Sequence, residues 1–304
     1  MVILTYNSIL SIEKLLKSLY GQVGVEYSIL VIDSESTDGT VKYIRNESNV
    51  RLEKILAEKF DHGGTRNYAL SLVSSKYIVF LTHDVVFADK FGLARLYEAI
   101  ESQSDVKAAY GRQRVDSNAK YYSRLLREFN YPPCSRIQNK SSHSELGIKT
   151  IFLSNSYSIY DVEYIKAIGG FPERVIFGED MIIASTIIDD GQSICYEGSS
   201  EVIHYHSYSM KEEFKRSFDT GYMHTEQVKK LFKYNNSEST ALEYIKYQIR
   251  WLFSEGSFVD MVDFLVRTTV KSVGYILGKN GYRFPAWLNT RLSMNKKYFG
   301  TTHK

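Results

Sequence analysis

Between Val2 and Leu81 the chain alternates short β-branched or aromatic runs with stretches of helical periodicity, and few folds accommodate that alternation. Residues 2–6 read as a strand, after which Ile12, Leu15, Leu16 and Leu19 recur at the spacing of one helix face. Residues 28–32 read as a second, buried strand, residues 51–56 as a third and residues 77–81 as a fourth, with a helix expected over 64–73. A βαβαβαβ order predicts an α/β fold: a Rossmann-like, mainly parallel sheet with helices on both faces. In such sheets ligands bind beyond the carboxyl ends of the strands, so the residues that follow each strand carry the functional information.

Four distinctive clusters stand at those positions. Thr5-Tyr6-Asn7 follows the first strand, and Asp33 follows the second and opens the turn-rich Ser34-Glu35-Ser36-Thr37-Asp38-Gly39. Phe60-Asp61-His62-Gly63-Gly64-Thr65-Arg66-Asn67 precedes the third helix, and Thr82-His83-Asp84 follows the fourth strand. Further on, residues 121–147 read as a Tyr-rich irregular segment and 151–160 as a strand. Gly178-Glu179-Asp180 opens a helix, and short strands are expected at 193–196 and 202–205, the latter running into His204-Tyr205-His206. Past Ser209 the pattern is helical. Over 258–277, Phe258, Val262, Leu265, Thr269, Val273 and Ile276 mark one face, with Asp260, Asp263, Arg267 and Lys271 on the other.

Composition narrows the function classes. Cys134 and Cys195 make no disulfide framework and lack metal-ligand spacing, which fits a reducing, cytoplasmic setting. No stretch approaches the length of a membrane span, and no basic region followed by an apolar core marks a signal peptide. Nothing resembles a nucleic-acid-binding motif. The net charge is only +3, but from Phe264 to Lys304 eight basic residues occur with no acidic one. Such a tail suits an anionic partner, a membrane surface or a phosphate-bearing substrate, or serves as a solvated face.

Taken in order, Leu4-Thr5-Tyr6-Asn7 and Ile32-Asp33-Ser34-Glu35-Ser36-Thr37-Asp38-Gly39-Thr40 resemble the opening of family 2 glycosyltransferases, which have the GT-A fold. The octet around Gly63-Gly64, then Gly178-Glu179-Asp180 and the late Leu292-Ser293-Met294-Asn295-Lys296-Lys297-Tyr298-Phe299, resemble bacterial rhamnosyltransferases within that family. The resemblance implies a GT-A catalytic domain over residues 1–210, a helical region over 211–304, and inverting transfer from a nucleotide-sugar donor, dTDP-L-rhamnose or otherwise a UDP-hexose. The acceptor implied is a bacterial surface polysaccharide, lipid-linked at the inner face of the cell membrane. Peripheral membrane contact through the basic tail and homo-oligomerisation both stay open.

The same resemblance assigns roles. Thr5, Tyr6, Asn7 and Asp33 would hold the nucleotide, with Asp33 accepting the imide N–H of uracil or thymine, unless it organises an Asx-turn. Gly64, Arg66, Asn67 and His83 would face the diphosphate, Gly64 at a helix N-terminus that can receive an anion and Arg66 as a bidentate partner. A bare Gly-Gly turn is the other reading. Asp84, in the place of the family's Asp-x-Asp motif, and His206, or His204 beside it, would bind Mg²⁺ or Mn²⁺; Thr82 stands where the first acid is expected. Asp180 is the candidate general base, with Glu179 beside it, although acids also favour helix N-termini for their charge alone. A sugar-phosphate nucleotidyltransferase would need a Gly-rich, basic loop directly after the first strand, and Thr5-Tyr6-Asn7-Ser8 supplies none. A non-catalytic carbohydrate-binding protein has only the weakened metal motif in its favour.

Overall fold

The computed structural model of the chain describes residues 1–205, 208–227, 231–234 and 237–301. One sheet contains β1 (Val2–Thr5), β2 (Ile29–Asp33), β3 (Val50–Lys54), β4 (Tyr77–Thr82), β5 (Val85–Phe87), β6 (Val106–Arg114), β7 (Arg136–Gln138), β8 (Tyr157–Asp161) and β9 (Ser193–His204). Its order is β3-β2-β1-β4-β8-β6-β9-β5, with β7 also pairing β9. The first four strands are parallel, as their βα alternation requires. Beyond β4 the sheet is mixed rather than mainly parallel, because β8 runs antiparallel between β4 and β6.

The helices in the first part of the chain are α1 (Ile9–Tyr20), α2 (Thr40–Arg45), α3 (His62–Leu72), α4 (Gly92–Glu101), α5 (Tyr121–Asn130), α6 (His143–Leu146), α7 (Val162–Ala167) and α8 (Glu179–Asp189). Alternate strand residues point to opposite faces. Ile3, Val31, Val79 and Leu81 therefore join Leu15, Leu19, Leu93 and Leu96 in one apolar core. Val2, Ile32, Ile78 and Phe80 join Leu70, Ile165, Ile183 and Ile187 in the other. The helices do lie on both faces.

After His204 every described element is helical: α9 (Met210–Glu226), α10 (Ser237–Ser254), α11 (Phe258–Lys279), α12 (Ala286–Leu292) and α13 (Lys296–Thr301), with short 3-10 turns between. Three local readings change. Strand structure begins only at Tyr157, leaving Leu153 to Ser156 irregular. The two short strands expected at 193–205 are one strand, with a register shift opposite Gly111 and Arg112. The segment read as irregular contains α5, whose aromatic residues meet a late helix rather than the sheet: Tyr121 stacks on Trp251 at 5.1 Å and Phe129 packs on Tyr244.

Candidate active site

The carboxyl end of β4, the end of β9 and the start of α8 converge on a cavity of about 360 Å³. A second cavity of about 350 Å³ adjoins it, and Arg127, Phe177, Asp180, His204 and Arg216 line both. Two spaces thus share one wall, and Asp180 stands in it.

The pair at the start of α8 follows Gly178, whose left-handed φ of 81° turns the chain into the helix. Glu179 points into the protein, where it meets Arg66 at 3.0 Å with both side chains buried. Asn155 adds a hydrogen bond from Nδ2 to Glu179 Oε1 at 2.9 Å. Burial alone would raise the Glu179 carboxyl, but Arg66, His62 and Asn155 outweigh it and hold it down. Asp180 has the opposite fate. Burial, then the charge on Glu179, pushes its carboxyl up to about 7, against the smaller pull of Arg66 and the backbone N–H groups of Asn155 and Met181. One acid is fixed as an anion and its neighbour is poised to exchange a proton near neutral pH, the condition that suits a general base.

Asp84 and His204 form the second constellation. His204 Nε2 lies 3.0 Å from Asp84 Oδ2. Burial works to raise the Asp84 carboxyl, but the His204 bond and charge, aided by His83, keep it well below the usual carboxylate range. The other ring nitrogen, Nδ1, lies 2.9 Å from both Arg127 Nη2 and Gln113 Oε1. If Arg127 donates to Nδ1, the neutral ring keeps its proton on Nε2 and gives it to Asp84. If Gln113 accepts from Nδ1–H instead, the Nε2 lone pair faces Asp84 Oδ2. That second tautomer is the one a cation needs. A carboxylate held ionised beside an imidazole with a ready proton acceptor fits a divalent ion that takes its remaining ligands from phosphate and water. No group of three or more acidic, His or Cys side chains able to hold a metal occurs among the described residues. His206, the preferred histidine ligand, lies outside them.

Comparison with known proteins places this arrangement. Residues 1–169 match the family described as Glycosyl transferase family 2. The chain belongs to glycosyltransferase family 2. It is 35% identical over 272 residues to the O-antigen chain rhamnosyltransferase WbaN of Salmonella anatum, covering 89% of this chain and 85% of that one. It is 32% identical over 300 residues to the O-antigen chain rhamnosyltransferase RfbN of Salmonella typhimurium, covering 98% and 95%. Among solved structures, a Pyrobaculum calidifontis mannosyltransferase in complex with GDP-Man and Mn²⁺ aligns with a TM-score of 0.59 at 17% identity, covering 98% of this chain and 84% of that one. Residues 1–349 of S. aureus TarS in complex with UDP-GlcNAc align at 0.53, also at 17% identity, covering 93% and 90%. These likenesses show a GT-A fold.

In this glycosyltransferase the residues expected to form one site occupy three places. Asp84, His83, Arg66, Glu179 and Asp180 line the first cavity. Thr5, Tyr6, Asn7 and Asp33 lie beyond it, at the ends of β1 and β2. Asp33 is fully buried and accepts from Thr5 Oγ1 at 2.8 Å, the Ser36 N–H at 2.8 Å and Ser36 Oγ at 2.6 Å. In this structure its carboxylate is turned inward and organises the Asx-turn. Asn7 binds the Thr37 N–H in the same turn, and Tyr6 is exposed.

The third place is a clamp, and it corrects the phosphate reading of the glycine octet. Asp61 caps α3 and takes the Gly64 N–H at 2.7 Å, leaving that amide no capacity for an anion. Gly63 is required by close approach, since a Cβ there would stand 1.8 Å from the Pro172 carbonyl oxygen. Asn67 binds both the N–H and the carbonyl of Phe171, as well as Glu173. Gly63 and Asn67 therefore fasten the loop that leads to α8. Arg66 reaches the cavity, where its Nη1 serves both Glu179 and the His62 carbonyl. His83 is tied to Ser11 through Nδ1 at 2.7 Å.

Sequence reasoning missed Asn155, Gln113, Arg127 and Arg216. Arg216 lies over the Phe177 ring at 3.9 Å and makes no ion pair among the described residues.

Proposed function

We propose that this glycosyltransferase inverts the anomeric centre as it moves L-rhamnose from dTDP-L-rhamnose to a bacterial surface polysaccharide on a lipid carrier. The reading is supported above all by two cavities that meet at a carboxylate poised near neutrality, one of them holding the Asp84–His204 pair. Residues 1–210 would form the catalytic unit, with side chains from 211–304 closing the acceptor cavity. The donor choice rests on the two O-antigen rhamnosyltransferases that this chain resembles over most of its length.

In the proposed step the acceptor hydroxyl oxygen attacks the anomeric carbon from the second cavity. Its proton passes to Asp180, and the bond from that carbon to the diphosphate oxygen breaks on the opposite side. Glu179, fixed by Arg66 and Asn155, keeps Asp180 basic enough to take the proton. Mg²⁺ or Mn²⁺ at Asp84 and His204 would supply positive charge to the leaving diphosphate. Arg216, half-buried over the Phe177 ring and lining both cavities, is placed to add to that charge. A lipid-linked acceptor would put the reaction at the inner face of the cell membrane.

The test is a donor panel with purified enzyme and extracted lipid-linked acceptor, reading nucleotide release and the anomeric configuration of the product. Rhamnosyl transfer with inversion is expected. Preference for a UDP-hexose, or retention of configuration, overturns the reading.

A further inference from the structure

The amphipathic helix α11 packs inside out. Its charged side faces the protein: Arg267 is 9% exposed, pairs with Glu213 of α9 at 2.9 Å and with Asp263 at 2.8 Å, and lies over the Tyr122 ring at 3.5 Å. Phe264, Gly274 and Gly278 are buried on the same side, and a Cβ at Gly278 would stand 1.9 Å from the Phe218 carbonyl oxygen of α9. The apolar side faces outward. Phe258 is 79% exposed, Leu265 64% and Ile276 58%, with Val262, Val266 and Val273 also exposed. At about 100° per residue these six positions form one stripe along the helix. A globular protein normally turns such a stripe to its own core, and a contiguous apolar surface of this kind marks an interaction site.

The surroundings of the stripe identify its partner. Val270, on the flank of the stripe, lines a cavity of about 570 Å³ with Phe214, Lys211, Lys215, Arg291 and Lys296. Burial lowers the Lys215 ammonium, and its neighbours Lys296 and Lys211 lower it further, as expected for cations crowded without enough counter-charge. Past the carboxyl end of the stripe, Lys279 and Arg283 are exposed, along with Tyr282 and Trp287, aromatic residues of the kind that settle at a lipid headgroup boundary. No acidic residue occurs from Phe264 onward. No helix among the described residues is long and apolar enough to cross a membrane. Exposed aliphatics next to clustered cations and boundary aromatics match a surface that lies on a bilayer rather than within one.

We infer that α11 docks this enzyme flat on an anionic lipid bilayer, its apolar stripe in the headgroup–acyl boundary and the basic cavity on lipid phosphates. This extends the proposed use of a lipid-linked acceptor, but its test needs neither donor nor acceptor, so either idea can fail alone.

Full-length protein is sedimented with phosphatidylglycerol–phosphatidylcholine vesicles and with pure phosphatidylcholine vesicles, at low and high salt. Binding to the anionic vesicles that weakens with salt is expected, and Arg291→Glu/Lys296→Glu should reduce it by at least about tenfold. Val262→Glu/Leu265→Glu should abolish it at either salt concentration, with unchanged melting temperature and unchanged turnover on detergent-dispersed acceptor. Failure to bind anionic vesicles at low salt overturns the inference. A concentration-dependent dimer in sedimentation velocity that Val262→Glu/Leu265→Glu dissolves, without vesicle binding, assigns the stripe to a second copy of the chain instead.

Discussion

Replacing Asp180 with Asn should inactivate the enzyme and stabilise it at the same time. The carboxyl is pushed up from 3.8 to about 7 by burial and then by Glu179. At about 1.4 kcal/mol per tenfold change in proton binding, that displacement caps the cost of the charged form at about 4 kcal/mol. The hydrogen bonds from the Asn155 and Met181 N–H groups favour the anion, and the cavity partly solvates it, which discounts the gain to about 1–3 kcal/mol. The sign follows from linkage. A raised carboxyl contributes stability below its unfolded value of 3.8 and loses it as pH rises through about 7. Asp180→Asn should therefore match the wild type near pH 4 and exceed it above pH 7, with a melting temperature higher by about 2–6 °C. Turnover should fall by at least about 10²-fold with donor binding retained, and wild-type turnover should climb with pH through about 7. The assays are scanning calorimetry across pH and initial rates of nucleotide release. Near-normal turnover in the variant removes Asp180 from the chemistry. A melting temperature lowered equally at pH 4 and pH 8 means the carboxyl is an ordinary structural acid and the argument from burial fails.

Three other outcomes test the surrounding residues. Arg66→Met and Glu179→Gln should each cost about 3–5 kcal/mol by stranding a buried charge or its partner, while the double variant costs less than their sum; strict additivity in denaturant melts refutes the pair. Asn67→Ala should cost about 1–3 kcal/mol and leave the donor KM unchanged; a raised KM at unchanged stability would return Asn67 to the donor site. Chelator should abolish turnover, Mg²⁺ or Mn²⁺ should restore it, and Asp84→Ala should raise the metal concentration required by at least about tenfold; full activity in chelator would leave the leaving-group charge to Arg216 and Arg127.

Much of this architecture was legible in the sequence because it is written in local periodicity. The four parallel strands follow from βα alternation, and Asp84 and Asp180 stand at element ends that such a sheet gathers together. The mixed half of the sheet was not legible, since β8 enters after an irregular segment whose apolar residues look like strand. Asn155 sits in that segment and left no signal, because its role comes from partners 24 and 25 residues away. The misread octet did carry a signal. Asp61 stands at N-cap spacing from Gly64, and a filled cap leaves that N–H nothing to offer an anion. For α11 the sequence shows two faces but not which one turns inward. Glu213 decides that, and it lies on another helix, 54 residues from the arginine it draws in.

The same logic links a buried basic residue beside the cavity to the protonation of its neighbours. Arg66 is anchored by α3, and α3 is fastened through Asn67 and the Gly63 contact to the loop that leads into α8. Its guanidinium therefore meets Glu179 at a distance set by two packed elements rather than by a flexible side chain. Burial, and then the anionic Glu179 beside it, keep the adjacent carboxyl from ionising easily, and its proton affinity rises toward neutrality. A lysine at position 66 would preserve the charge but lose the planar guanidinium that lies over the Phe80 ring while its Nη1 meets both the His62 carbonyl and Glu179. Arginine at this position bears on Asp180 through the charge it fixes on Glu179.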